Sequence, residues 1–213
     1  MRLNPKYIVR DEADLRSSFA PTHEIAAQKV LNRIDEHARS YIERSPFICI
    51  GTQSKDGKAD VSPRGDPKGF VRILDAKTLL IPDRPGNNRL DTLSNVLSNP
   101  NVGILFIIPG FDDTLRINGK ACITRDPGLL EASAVHGKSP KVGLVVTVNE
   151  VFLHCAKAFR RSKLWEVESQ QDRSELPSLV NIVLDQTTGA PSDPSERAKL
   201  DADLEEEYRQ TMY

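Results

Sequence analysis

Between Phe47 and Cys155 the chain alternates short apolar stretches with tight-turn residues, and this rhythm limits the possible folds more than any other feature. FICIGTQ (47–53) and KADVSP (58–63) flank SKDG, in which Asp56-Gly57 is a strong hairpin-turn signal. FVRILD (70–75) and TLLIPD (78–83) are joined by another short turn. VGILFII (102–108) and TLRINGKACIT (114–124) flank a PGFDD loop, and KVGLVVTVNEVFLHC (141–155) is long enough for one bent strand or two. Turns this short make neighbouring strands antiparallel. Six or seven strands in one small unit are expected to close into a barrel, which removes their unpaired edges. The reading is therefore mainly β (α+β): an antiparallel six- to seven-stranded barrel with flanking helices.

Helical spacing lies around this block. Thr22 can cap a helix, Glu24 suits its positive end, and Ala27, Leu31, Ile34, Ala38 and Tyr41 follow at spacings of four and three. Pro46 stops that pattern. Two shorter helices are expected near 89–98 and 127–135, and an amphipathic one over 177–186. Residues 1–21, with mixed charge and two prolines, read as an irregular arm. TTGAPSDPSE is a linker by composition, and the predominantly acidic stretch after it reads as a solvated helix or a frayed tail. The division implied is one domain over 1–186 and an extension over 187–213.

Composition narrows the function classes. Twenty-nine Lys and Arg against 30 Asp and Glu leave a formal charge of -1, a poor basis for gripping nucleic acid or an anionic membrane. Aromatics are 6% and no aromatic strand motif of RNA-binding sheets is present, which weakens a nucleic-acid reading further. No apolar run approaches the roughly 20 residues that span a bilayer, and MRLNPKYIVRDEADL lacks the features of a signal peptide. Cys49, Cys122 and Cys155 are odd in number and far apart, which fits free thiols in a reducing compartment and offers no metal-ligand spacing. A cytoplasmic protein without a metal site is the expectation.

Several segments carry groups suited to a ligand. HGKS (136–139) is not a Walker loop, because position 132 is alanine where a glycine is required and a strand follows where a helix should. Lys138 is then either a phosphate-facing cation or a solvated loop lysine. DRPGNNRL (83–90) lies between an expected strand and an expected helix, where exposed peptide N–H groups attract anions. With Arg84, Arg89, Asn87 and Asn88 it can form a phosphate clamp; the same residues also make an ordinary polar turn. In VSPRGDPKG (61–69), alternation puts Ser62 and Arg64 on one face. Pro63 and Pro67 interrupt a ladder there, and accessible amides suit a planar, hydrogen-bonding ring, although a plain turn-rich loop has the same composition. KAFRRSK (157–163) precedes Trp165, the single tryptophan, which can stack on a ligand or anchor a core or interface. No nucleophile–base pair is placed by spacing, so an enzyme of this sequence would draw its reactive centre from a cofactor.

The order of FICIGTQSKDGKADVSPRGDPKGF, LLIPDRPGNNRLDTLSNVLSNPNVGILFIIPG, LRINGKACIT and FLHCAKAFRRSKLW resembles the pyridoxamine-phosphate-oxidase-like flavoproteins, and more narrowly their FMN-dependent branch. The likeness covers roughly 25–170. It implies a split β-barrel, a homodimer with FMN at the subunit interface, and a hydride-transferring oxidoreductase acting on a small organic substrate through flavin N5. It also implies roles for particular residues. Arg84, Asn87, Asn88 and Arg89 match the loop that holds the FMN phosphate, and Ser62 and Arg64 the strand end along the isoalloxazine. Thr114 and Arg116 match a strand that reaches the flavin across the dimer, Lys138 and Ser139 a loop near the phosphate, and Trp165 a late aromatic near the ring. Asn-Asn-Arg replaces the Ser-Arg-Lys of the vitamin oxidases, and LEEEYRQTMY replaces their Arg-Leu-x-Pro ending. FMN is thus implied without pyridoxamine phosphate as substrate. A non-enzymatic flavin or tetrapyrrole carrier or sensor, and a deazaflavin-binding relative, are the alternative readings on the same barrel.

Overall fold

A computed structural model describes residues 2–213. The period-two segments become seven strands: β1 (Phe47–Gln53), β2 (Ala59–Gly65), β3 (Arg72–Asp75), β4 (Thr78–Pro82), β5 (Asn101–Ile107), β6 (Thr114–Thr124) and β7 (Gly143–His154). All pairs are antiparallel, and the sheet order is β2-β1-β5-β6-β7-β4-β3. The sheet curls around one core and stays open between β2 and β3, the split form of a barrel. Every second residue faces inward. Ile48 and Ile50 of β1, Val102, Ile104 and Phe106 of β5, and Leu115 and Ile117 of β6 are buried together.

The segment 141–155 forms one strand, bent by a bulge. Asn118 pairs with Glu150 but Gly119 with Val148, so Asn149 is the extra residue. This switches the inward parity of β7, which buries Val146 and Val148 before the bulge and Val151 after it. Glycine is required opposite: a Cβ at 119 would overlap the Thr147 carbonyl.

Helices flank the barrel. They are α1 (Glu12–Ser17), α2 (Glu24–Gln28), α3 (Glu36–Ile42), α4 (Asp91–Ser98), α5 (Pro127–Leu130), α6 (Lys157–Ser162), α7 (Leu179–Gln186) and α8 (Pro194–Thr211). Of these, α3 and α4 pack against its strands. Three expectations need correction. The pattern begun at Thr22 is two helices, because Leu31 trades backbone hydrogen bonds with Val151 of β7 (2.9 and 2.7 Å), occupying groups a helix would need. The chain restarts at Asp35, whose carboxylate accepts from the Ala38 N–H at 2.8 Å. The arm over 1–21 holds a 3₁₀ turn at Pro5–Tyr7 and α1, capped by Asp11. Pro63 does not interrupt the ladder: β2 is an edge strand and its pairing with β1 runs on to Gly65, so no N–H at Pro63 is missed on the open side.

Helix α4 is fixed to the barrel on two sides. Leu93 and Val96 pack into the core. Thr92 Oγ1 donates to Asp60 Oδ2 (2.8 Å) and Asn95 Nδ2 to Thr52 Oγ1 (3.0 Å), which ties the helix to β1 and β2. No helix among the described residues is long and apolar enough to cross a membrane. Cys49, Cys122 and Cys155 are free thiols.

Candidate functional site

Three loops meet at one end of the barrel because of strand register. Pro82 of β4 pairs with Gly143 of β7, and Thr124 of β6 pairs with the same glycine. The loop after β4 (83–90) and the turn before β7 (134–142) therefore leave from neighbouring strand ends. The loop after β2 joins them through ion pairs. Arg64 lies 3.8 Å from Asp83, and Arg84 Nε donates to Asp66 Oδ2 at 2.6 Å. Arg84 also donates through Nη2 to the Ser133 carbonyl at 2.9 Å, and its side chain is 16% exposed. Burial pushes the Asp83 carboxyl above its usual range, with Arg64 working in the opposite direction.

The backbone of the 83–90 loop is unusual. Asn88 and Leu90 both have left-handed φ, 58° and 59°, a conformation costly for leucine. Leu90 is the N-cap of α4 and makes no side-chain cap hydrogen bond. The first N–H groups of α4 are thus left without the usual side-chain acceptor, beside the exposed Arg89. Arg89 Nε donates to Asp91 Oδ2 at 2.7 Å, and its amide to Asn87 Oδ1 at 3.1 Å.

Of the residues singled out from sequence, Arg64, Arg84, Asn87, Asn88, Arg89 and Lys138 fall in or beside these loops, with Ser62 along β2 and Ser139 in the turn. Thr114, Arg116 and Trp165 do not join them. Thr114 pairs with His154 and Arg116 with Phe152, at the far end of β7 from Gly143. Arg116 thus sits at the Phe152 end of β6 and β7, where it shares a groove with Asp60 and Val61 of β2. There the Arg116 guanidinium and the Lys29 ammonium both lie over the Phe152 ring, at 5.4 and 5.6 Å. Burial first, then Arg116 and Lys29, holds His154 below the usual imidazole range. Trp165 stacks on Phe159 (5.7 Å) and donates Nε1–H to the Phe111 carbonyl at 2.8 Å, an anchoring arrangement.

The N-terminal segment and the tail aside, the match to known proteins is direct: residues 34–155, more than half the chain, fit the family model described as pyridoxamine 5'-phosphate oxidase. The chain belongs to the pyridoxamine 5'-phosphate oxidase family. Among solved structures, HupZ of Group A Streptococcus is similar at 19% identity, over 56% of this chain and 93% of that one, with a TM-score of 0.47. A putative pyridoxamine 5'-phosphate oxidase from Lactobacillus delbrueckii is similar at 17% identity, over 57% and 95%, with a TM-score of 0.45. An F420 reductase is similar at 18% identity, over 57% and 98%, with a TM-score of 0.41. No curated protein matches the sequence. The oxidase-family segment contains the 83–90 loop, the 134–142 turn and Arg116, Phe152 and His154 of the far-end cluster, but not Lys29, Trp165 or α8.

Sequence reasoning missed Asp66, Asp83, His136 and Tyr213. Asp66 and Asp83 sat inside segments already singled out, and their signal was a lone carboxylate beside an arginine. Tyr213 lies 147 residues from Asp66, whose carboxylate accepts its hydroxyl, and no local pattern announces such a contact.

Proposed function

We propose that this chain is an FMN-binding flavoprotein and an oxidoreductase that passes hydride between a small organic substrate and flavin N5. The observation that carries the reading is the N-terminus of α4, without a side-chain cap and reached through two left-handed residues next to an exposed arginine. That arrangement fits a phosphate group. Arg89 and the amides of Asn88, Leu90 and Asp91 would hold it, with Asn87 ordering the turn through the Arg89 amide. Arg84 is partly committed to Asp66 and Ser133, and keeps its remaining guanidinium donors for the same anion. Ser62 and Arg64 line the edge strand along which a planar ring would lie, and Asp83 holds Arg64 in place.

A bound flavin supplies the hydride chemistry; the chain binds and orients. Arg116 lines a groove with Asp60 and Val61 of β2, next to Ser62 along that strand. In this reading that groove faces a second copy, and the protein works as a homodimer with the flavin between subunits. One observation favours a carrier instead: Asp66, Asp83 and Asp91 each face an arginine, which leaves these loops without an uncommitted carboxylate to move a proton.

The test begins with the visible spectrum of the purified protein and the mass of any chromophore released by heat. Flavin bands, and FMN at about one per chain, are the expected result. Arg89→Glu should weaken FMN binding by about tenfold or more, the worth of a charge-assisted hydrogen bond. A protein that is colourless and takes up no added FMN would overturn the reading, and a released deazaflavin would replace its cofactor. Bound FMN that no nicotinamide or amine donor reduces would leave the carrier.

A further inference from the structure

Helix α8 buries none of its side chains. Its polar ties are to α7 and the preceding linker: Asn181 Nδ2 to Asp201 (3.1 Å), Arg197 to Asp185 (3.6 Å) and to the Pro191 carbonyl (2.6 Å). A polar helix of this kind has no apolar reason to end at a particular place. Yet Tyr213, just beyond it, is held from four sides. Tyr213 donates its hydroxyl to Asp66 Oδ1 at 2.8 Å, and its ring lies 5.7 Å from the Arg84 guanidinium. The ring also meets His136 edge-on at 5.6 Å, and its carbonyl oxygen accepts from Lys138 Nζ at 2.6 Å.

These four partners come from the three loops that meet at the barrel end, and their chemistry reads as a ligand list. Asp66, with a side chain 1% exposed, is a buried acceptor for an O–H or N–H. Arg84 offers a cationic face for an aromatic ring, and Lys138 a cation for an oxygen at the other end. Two further features suit a site that exchanges occupants. The Ser133 hydroxyl, on the residue whose carbonyl holds Arg84, is buried without a hydrogen-bond partner, and His136 takes a left-handed φ of 50°.

We propose that Asp66, Arg84, His136 and Lys138 form a subsite for a small planar aromatic molecule with a hydroxyl or N–H donor at one end and an anionic oxygen at the other, and that Tyr213 is its tethered occupant. The subsite adjoins the proposed cofactor loop and does not require the flavin. Substrate of this class displaces Tyr213, and α8 swings with it as a strap. Asp66 also accounts for the phenol of Tyr213 being held above its ordinary value, since a carboxylate accepting the proton favours the neutral form.

4-Hydroxyphenylacetate, which carries both end groups, is the probe, titrated calorimetrically into the full chain. An occupant that fills the site nine-tenths of the time lowers apparent affinity about tenfold, so Tyr213→Ala should bind the probe about tenfold more tightly than the unmodified protein. Tyr213→Phe, which keeps the ring and loses the donor, should fall between. Lys138→Gln, a change at an exposed position, should cancel the gain when combined with Tyr213→Ala. Equal affinity in the unmodified and Tyr213→Ala proteins would show that Tyr213 is not the occupant. No binding to Tyr213→Ala would dispose of the subsite. Flavin content is read from the same samples by absorbance, so either failure is separable from failure of the cofactor reading.

Discussion

Tyr41 shows how a single side chain ties the barrel to its covering helix. Its ring is 7% exposed and packs edge-on against Phe111 at 6.2 Å, while the hydroxyl donates to the Asp113 carbonyl at 2.6 Å. Burial, reinforced by Asp113, pushes the phenol up to about 12 from 10.0. The folded value lies above the unfolded one. The stability of the buried neutral phenol is therefore fully present below pH 10 and is lost as pH rises through 12. Urea midpoints measured from about pH 9 upward should fall steeply for the unmodified protein and less steeply for Tyr41→Phe. Parallel curves would show that the phenol is not the group responsible. Other residues were less readable in advance. Arg84 was legible as a basic side chain in a turn, but its partner Asp66 lies 18 residues upstream and the Ser133 carbonyl 49 residues downstream.

Among the elements, the loop from Asp83 into α4 combines strain with an open helix end. Leu90 is 52% exposed, so little packing offsets its left-handed backbone. Leu90→Gly should relieve that strain and raise the unfolding free energy by up to about 1 kcal/mol, while lowering FMN affinity because the loop is no longer set in advance. Denaturant titration and FMN titration of the same variant check both halves. A variant that gains stability and keeps full affinity would remove the loop conformation from the binding argument. Hairpin turns made the strands legible at this scale, since Asp56-Gly57 and the 109–113 loop mark their ends directly. The break between α2 and α3 was not legible. Leu31 fits a helical stripe perfectly well, and only the proximity of Val151, far along the chain, draws its backbone into a bridge.

At the level of the molecule, the groove that Arg116 shares with Asp60 and Val61 of β2 is the face on which a second chain is expected to sit. The expected species in sedimentation at micromolar concentration has twice the 23.7 kDa chain mass, and Arg116→Glu should weaken FMN binding without changing that mass. A flavin-loaded species of one chain mass would show that the cofactor needs no second subunit.

Local chemistry decided the strands and their order of appearance, the antiparallel sense of their pairing, the start of α4 and the basic loop before it. Each depends on residues within a few positions of one another: alternation sets a face, a tight turn sets direction, and proline and glycine set boundaries. Tertiary structure decided the rest. Which strands became edges, where β7 bulged, that Arg84 was half claimed by Asp66, and that Tyr213 came to lie on the loops all depend on pairs of groups far apart in the chain. Such contacts are chosen by the closure of the sheet around its core, and no short window of sequence contains both partners.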